Sequence, residues 1–289
     1  MQLSSEFKLK DLGQLSYFLG VEAQWTSAGL LLTQRKYIHD LLQKAHMQDA
    51  NTVSTPACTT IKLSAFSGTS VPDPTLYRSI VGGLQYLSMT RPDISFSVNK
   101  ASQFMHDPRD QHWQAVKRIL RYLKATSAYG LLIQKSSSTQ LFAYSDSDWA
   151  GSIDDRKSTG GYALFVGLAR SSTEAEYRAL ASVVQELQWL QSLLHEIRQS
   201  CSQPPLLFCD NLSATYLTNT PIFHSRSRHL EIDFHFVRDK CAQKELQVRY
   251  ISTTDQLADG FTKPLPKTRF LHLRDKLSVV SPHSQLVGG

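Results

Sequence analysis

Between Gln140 and Lys263 short apolar strings alternate with longer amphipathic stretches, and the order of that alternation limits the folds open to the chain. QLFAYSDSDWAG and KSTGGYALFVG read as strands joined by a turn at DDRK and its neighbouring glycines. From Thr173 to Ile197, Leu180, Val184, Leu187 and Leu194 recur at helical spacing. LLFCD is a strand, Asn211–Asn219 and Leu230–Ala242 are helices, LQVRYI is a strand, and DQLADGFTK supplies a last helical turn. Strand, strand, helix, strand, helix, helix, strand, helix is an order that builds a mixed α/β sheet with helices packed on it.

The residues before this block read as mainly helical. Leu15 to Val21 and Leu30 to Thr33 predict a hairpin with its turn at TSAG, and RKYIHDLLQKAHM a helix through Ile38, Leu41, Leu42 and Ala45. A loop rich in Pro, Ser, Thr and Gly follows from Thr52 to Pro74. Helices are expected at 74–89 and 94–104, broken by Arg91-Pro92, and at 112–125. In the last of these Trp113, Val116, Leu120 and Leu123 form the apolar stripe, with Lys117, Arg118, Arg121 and Lys124 largely off it. Those four cations suit either a solvated helix face or a phosphate backbone, which rewards clustered positive charge. The expected division is 1–129, 130–280 and a tail at 281–289.

A formal charge of +6 permits a polyanionic partner without requiring one. Cys58, Cys201, Cys209 and Cys241 show no C-x-x-C spacing, so reduced cysteines of an intracellular protein are expected. No apolar run approaches the ~20 residues a bilayer-spanning helix needs, so no membrane partner is expected. The opening MQLSSEFKLKDLG has neither a basic leader nor an apolar secretory segment.

The carboxylates that matter sit at element ends. Asp146 lies where QLFAY runs into its turn, Asp210 ends LLFC, Glu176 falls in the first turns of the long helix, and Asp255 follows RYIST. Four acids on separate elements either cap helices, where the dipole favours them, or converge. Convergence would need a countercharge, and Mg²⁺ is the hard, oxygen-seeking cation that accepts such ligands together with substrate phosphates. Asp259, four residues after Asp255, is the rival for the last position, and Asp255 is preferred because it follows the strand more closely. Nearby, Arg226, Arg228 and His229 suit phosphate contact, helix packing or capping; no cysteine/histidine ligand pattern accompanies His224, His229 and His235 to suggest zinc.

YSDSDWAG, DDRKSTGGY and SSTEAEYRALA, followed in order by CDNLSA, RHLEIDFHFVRD and TTDQLADGFTKPL, resemble the ribonuclease H domain of copia-type retrotransposon Pol polyproteins. Upstream, FKLKDLGQLSYFLGVE, TQRKYIHDLLQKA, VSTP and YRSIVGGLQYLSMTRPDISFSVN resemble the part that follows the polymerase centre of the same family. The resemblance implies a ribonuclease H-like mixed sheet with flanking helices, preceded by a mainly helical reverse transcriptase thumb/connection-like region. It implies hydrolysis of the RNA strand of an RNA/DNA hybrid, with Asp146, Glu176, Asp210 and Asp255 as catalytic metal ligands and Mg²⁺, or Mn²⁺ in its place, as cofactor. An upstream reverse transcriptase segment is the further partner it suggests.

Two departures temper that expectation. The family's Tyr-x-Asp-Asp polymerase string is absent, so polymerisation by this chain alone is not expected. After GGYALFVG the family continues through another strand, whereas here Gly167 runs directly into LARSSTEAEY, a shortfall of roughly a dozen residues. Leu168 to Ser172 reaches only about 17 Å fully extended, so either Glu176 is displaced or the second strand is left as a poorly protected sheet edge, and weak or no hydrolysis is expected. A noncatalytic nucleic-acid-binding remnant is the alternative.

Overall fold

The structure, a computed structural model, describes residues 13–135, 139–148, 151–156, 158–166, 177–199, 203–210 and 231–282, with backbone alone at 177–182, 209 and 231–235. Two sheets organise it. The first runs β1 (Tyr17–Phe18), β2 (Val21–Thr26), β3 (Gly29–Thr33), β4 (Gly130–Gln134) and a C-terminal strand (Val279–Val280), antiparallel throughout. The hairpin turns at Ser27-Ala28 within TSAG, but its first long strand is Val21–Thr26, not the Leu15–Val21 stretch that alternation suggested. Gly29 explains part of the geometry. Its φ of +145° suits glycine, and a Cβ there would run into the Ile133 carbonyl of β4.

Helices α1 (Arg35–Lys44), α2 (Pro74–Leu87), α3 (Ser95–Ser102) and α4 (Asp110–Ala125) build the first core. α2 starts where Asp73 accepts a 2.8 Å hydrogen bond from the Leu76 amide and Pro74 takes the first helical position, where its missing N–H costs nothing. Tyr77, Ile80, Val81, Leu84 and Leu87 then face inward against Ile38, Leu41 and Leu42 of α1 and Val116, Ile119, Leu120 and Leu123 of α4. A buried ion pair locks the bend between α2 and α3. Arg91 meets Asp93 at 2.8 Å and also donates to the Thr126 carbonyl at the end of α4, while the Tyr122 hydroxyl donates to Asp93.

The second sheet has the order β6 (Thr159–Val166), β5 (Leu141–Asp148), β7 (Leu206–Cys209), β8 (Gln247–Tyr250). β5 pairs antiparallel with β6 and parallel with β7, and β7 pairs parallel with β8. Such a mixed sheet requires crossovers, and α5 (Tyr177–Glu196) and α6 (Glu231–Ala242) supply them. β5 is buried on both faces. Leu141 and Ala143 join Val183, Val184, Leu187 and Val237 beneath the two helices, whereas Tyr144 and its neighbour Ala163 belong to the core of α1–α4.

The last segment stitches the two parts together. It comprises a 3-10 turn at Thr253–Asp255, the short helix α7 (Asp259–Thr262), α8 (Lys267–Lys276) and β9 (Val279–Val280), which pairs back onto β4 of the first sheet. Leu257, Ala258, Leu265, Phe270 and Leu273 enter the α1–α4 core on the way. The architecture is the ribonuclease H-like mixed sheet with flanking helices that the resemblance implied, preceded by a mainly helical region. Two features were not anticipated: the five-stranded sheet beside those helices, and the return of the C-terminal strand to it. β6 lies at the end of its sheet among the described residues. The expected helix at Asn211–Asn219 and most of the 281–289 tail lie outside those residues.

Candidate functional site

Parallel pairing of β5 and β7 sets the site. Phe142, Ala143 and Tyr144 lie opposite Leu206, Leu207 and Phe208, and continuing that register places Asp146 beside Asp210 at the same end of the sheet. Adjacent strands are about 4.8 Å apart. Phe142, Tyr144 and Phe208 share a face with Asp146, with ring centroids of Tyr144 and Phe208 5.3 Å apart, so a row of aromatic side chains leads along the sheet to the carboxylates.

The TTDQLADGFTK segment closes over this end. Gln256, fully buried, donates from its side chain to the Ser145 carbonyl at 2.9 Å and accepts from the Ala258 amide at 3.0 Å. Leu257 and Ala258 then drop into the core, which fixes the start of α7 and places Asp259, only 2% exposed, at its first turn. Gly161 of β6, paired with Asp146, leaves the space that α7 occupies: a Cβ there would stand 2.7 Å from Cβ of Phe261 and 2.9 Å from Cγ2 of Thr262. The approach lets the Thr262 hydroxyl donate to Oδ2 of Asp146.

Two cations serve three carboxylates. Lys263 Nζ stands 2.6 Å from Oδ1 of Asp259 and 3.5 Å from Oδ2 of Asp146. Arg269 holds the other oxygen of Asp259 at 2.7 Å while also donating to the Thr253 and Thr254 carbonyls. Asp210 accepts from the Thr253 hydroxyl. Burial pushes the Asp146 carboxyl up to about 6; the Thr262 hydrogen bond and Lys263 work against that rise, and Asp259 and Asp210 add to it. Burial, then Asp259, raises Asp210 as well, against the pull of Thr253. Burial disfavours the charge on Lys263, but its pairing with Asp259 and Asp146 outweighs that and raises its pKa.

Three carboxylates thus share one electrostatic neighbourhood, and they are Asp146, Asp210 and Asp259. Asp255 is half-buried in the preceding 3-10 turn, where its carboxylate accepts from Ser252. Asp259 faces Asp146 across Lys263, whereas Asp255 lies before the Gln256 anchor and within electrostatic reach of Tyr144. Glu176, Arg226, Arg228 and His229 lie outside the described residues. Gly161, Thr262, Lys263 and Arg269 were not singled out in the sequence. The string DGFTKPL contains three residues of the site, but only the paired position of Gly161 shows why they matter.

The donors fit a hard divalent cation in kind. All are carboxylate oxygens, and Oδ1 of Asp259 is buried without a hydrogen bond; its contact with Lys263 is close but lacks hydrogen-bond alignment. Among the described residues, however, no three acidic, histidine or cysteine side chains are gathered closely enough to hold an ion as they stand.

The cations of α4 have other engagements. Arg118 donates to the carbonyl and hydroxyl of Thr55, Arg121 to the Asn51 carbonyl and Lys124 to the Ala50 carbonyl. Lys117 lies over the Trp113 ring, 5.8 Å from its centroid. Three of the four therefore fasten the loop after α1, a role invisible to charge counting. No helix among the described residues is long and apolar enough to cross a membrane.

Residues 1–59 match the family model described as reverse transcriptase (RNA-dependent DNA polymerase). The chain is 48% identical over 96% of its length to the retrovirus-related Pol polyprotein from transposon RE2 of Arabidopsis thaliana and 49% identical over 96% to that from transposon RE1. It is 37% identical over 93% of its length to the Pol polyprotein from transposon TNT 1-94 of Nicotiana tabacum. It spans 20–22% of the length of these relatives. No solved structure matches. Matched along nearly its whole length to these polyproteins, and carrying a ribonuclease H-like sheet behind a reverse transcriptase-type segment, the chain belongs to the copia-type retrotransposon Pol family.

Proposed function

We propose that this chain is the nuclease portion of a retrotransposon Pol product and that it hydrolyses the RNA strand of an RNA/DNA hybrid with Mg²⁺, Mn²⁺ being able to substitute. The observation that carries the reading is the shared level of Asp146 and Asp210 on parallel neighbouring strands, with buried Asp259 closing the same end of the sheet. In this reading Asp146, Asp210 and Asp259, together with Glu176, hold the cation, and Asp259 takes the place first assigned to Asp255. When bound, divalent ions would lower the pKa of an attacking water and neutralise the leaving oxygen. The chain's own residues do the rest. Thr262 orients Asp146, Arg269 orients Asp259, and Thr253 orients Asp210. Polymerisation is not proposed, since the sequence contains no Tyr-x-Asp-Asp string. The match of residues 1–59 to a reverse transcriptase model makes an upstream polymerase segment the proposed protein partner.

One observation favours a second reading, a noncatalytic nucleic-acid binder: an ammonium group occupies the gap between two of the carboxylates. A labelled hybrid, purified protein and Mg²⁺ separate the two. The nuclease reading expects metal-dependent cutting of the RNA strand that Asp146→Asn and Asp210→Asn abolish. Hybrid binding with no cutting in either Mg²⁺ or Mn²⁺ supports the second reading instead.

A further inference from the structure

Lys263 is placed by the chain's covalent logic. It precedes Pro264, whose ring disfavours a helical backbone in the residue before it. The chain accordingly leaves α7 at Lys263 with φ −141° and ψ 154°, and the side chain comes to lie between Asp146 and Asp259. These two carboxylates come from β5 and α7, elements joined by no covalent path shorter than a hundred residues. Side by side with only each other they would repel, and burial would magnify the repulsion.

The two acids do not depend equally on this lysine. Asp259 keeps Arg269 on Oδ2, and Asp146 keeps the Thr262 hydroxyl, whatever Lys263 does. What Lys263 alone faces is Oδ1 of Asp259, the buried oxygen that has no hydrogen bond. The lysine side chain is about one-third exposed and rides on a flexible four-carbon stem, so it has a path into solvent. A divalent cation between the same carboxylates would meet that ammonium at ion-pair range, and like charges do not share such a space.

We propose that Lys263 is the resident counter-ion of the cluster: its ammonium holds Asp146 and Asp259 together in the metal-free protein and leaves when a divalent cation takes both. The inference rests on the reading of these carboxylates as a divalent-cation site. It also gives the gap-filling ammonium a role compatible with catalysis, as a gate that metal must displace.

Mn²⁺ binding, followed by loss of the free-ion paramagnetic resonance signal, tests it in the full chain, with metal-free melting temperature as the second readout. Lys263→Met should bind Mn²⁺ about tenfold more tightly than the parent protein and melt several degrees lower without metal. Lys263→Arg, which keeps the charge, should restore the metal-free melting temperature and show no gain in affinity. Equal Mn²⁺ affinity in Lys263→Met and the parent overturns the inference while leaving the metal site standing. An unchanged metal-free melting temperature in Lys263→Met also overturns it. If folded parent and variant both fail to bind Mn²⁺, the metal site itself falls, and the inference with it.

Discussion

Asp146 and Asp210 occupy the same level of two parallel neighbouring strands, and the hydroxyl groups that orient them, from Thr262 and Thr253, both come from the segment that follows β8. The sheet supplies position and the C-terminal segment supplies orientation. Damage to either should be measurable.

The choice between Asp255 and Asp259 is the sharpest test of that division of labour. Asp259→Asn should reduce hybrid cleavage at least a hundredfold, the scale on which a misplacement of about 1 Å acts. Asp255→Asn should leave the rate within about threefold of the parent. Single-turnover cleavage of a labelled hybrid gives both numbers, and the reverse ranking would restore Asp255.

Asp146 makes metal-free stability depend on pH in an unusual direction. Its carboxyl is raised from 3.8 to about 6, so the folded protein holds this proton where the unfolded chain has lost it. Ionised Asp146 therefore costs stability, on the order of 3 kcal/mol, fully above pH 6 and not at all below about pH 4. Asp146→Asn should raise the metal-free melting temperature at pH 7.5, and the gain should shrink towards pH 4.5. Cation binding needs the ionised form, so Mn²⁺ affinity should fall as pH drops through 6.

Gly161→Ala should strike the site without touching a charge. The added methyl would press on Cβ of Phe261 and Cγ2 of Thr262, which sit on or next to backbone and have little freedom to yield. A loss of roughly 1–3 kcal/mol, the usual cost of overpacking, should appear in denaturant unfolding, with a fall in cleavage beyond what the unfolded fraction explains.

The cations of α4 should divide by partner. Arg118→Ala removes bonds to the carbonyl and hydroxyl of Thr55 and should cost about 1.5–3 kcal/mol of stability, the range for charged hydrogen bonds. Lys117→Ala should leave stability nearly unchanged and, if the face meets phosphates, flatten the dependence of hybrid affinity on salt by about one unit of slope.

These contrasts show what the sequence carries and where it stops. Asp146 and Asp210 stand out because each closely follows an apolar run, but spacing alone leaves turn and cap roles open and the family resemblance is what singles them out. Asp146, expected at a turn, lies inside β5, two residues before its end. The choice between Asp255 and Asp259 is not legible, because both could share a helical face and only the fold brings Asp259 across Lys263 from Asp146. Charge on α4 suggested nucleic acid because a sequence shows a cation but not the carbonyl it has already found. The strand at Val279–Val280 is too short to carry any period, and its pairing with β4 is a long-range contact that no local pattern encodes.

A crystal soaked in Mn²⁺, with the metal located by anomalous scattering, shows whether these three carboxylates share an ion. The expected peak is bound by Asp146, Asp210 and Asp259, with Lys263 swung out of contact with both of its present partners. A peak elsewhere, or well-ordered crystals with Lys263 still seated between Asp146 and Asp259 at saturating Mn²⁺, would contradict it.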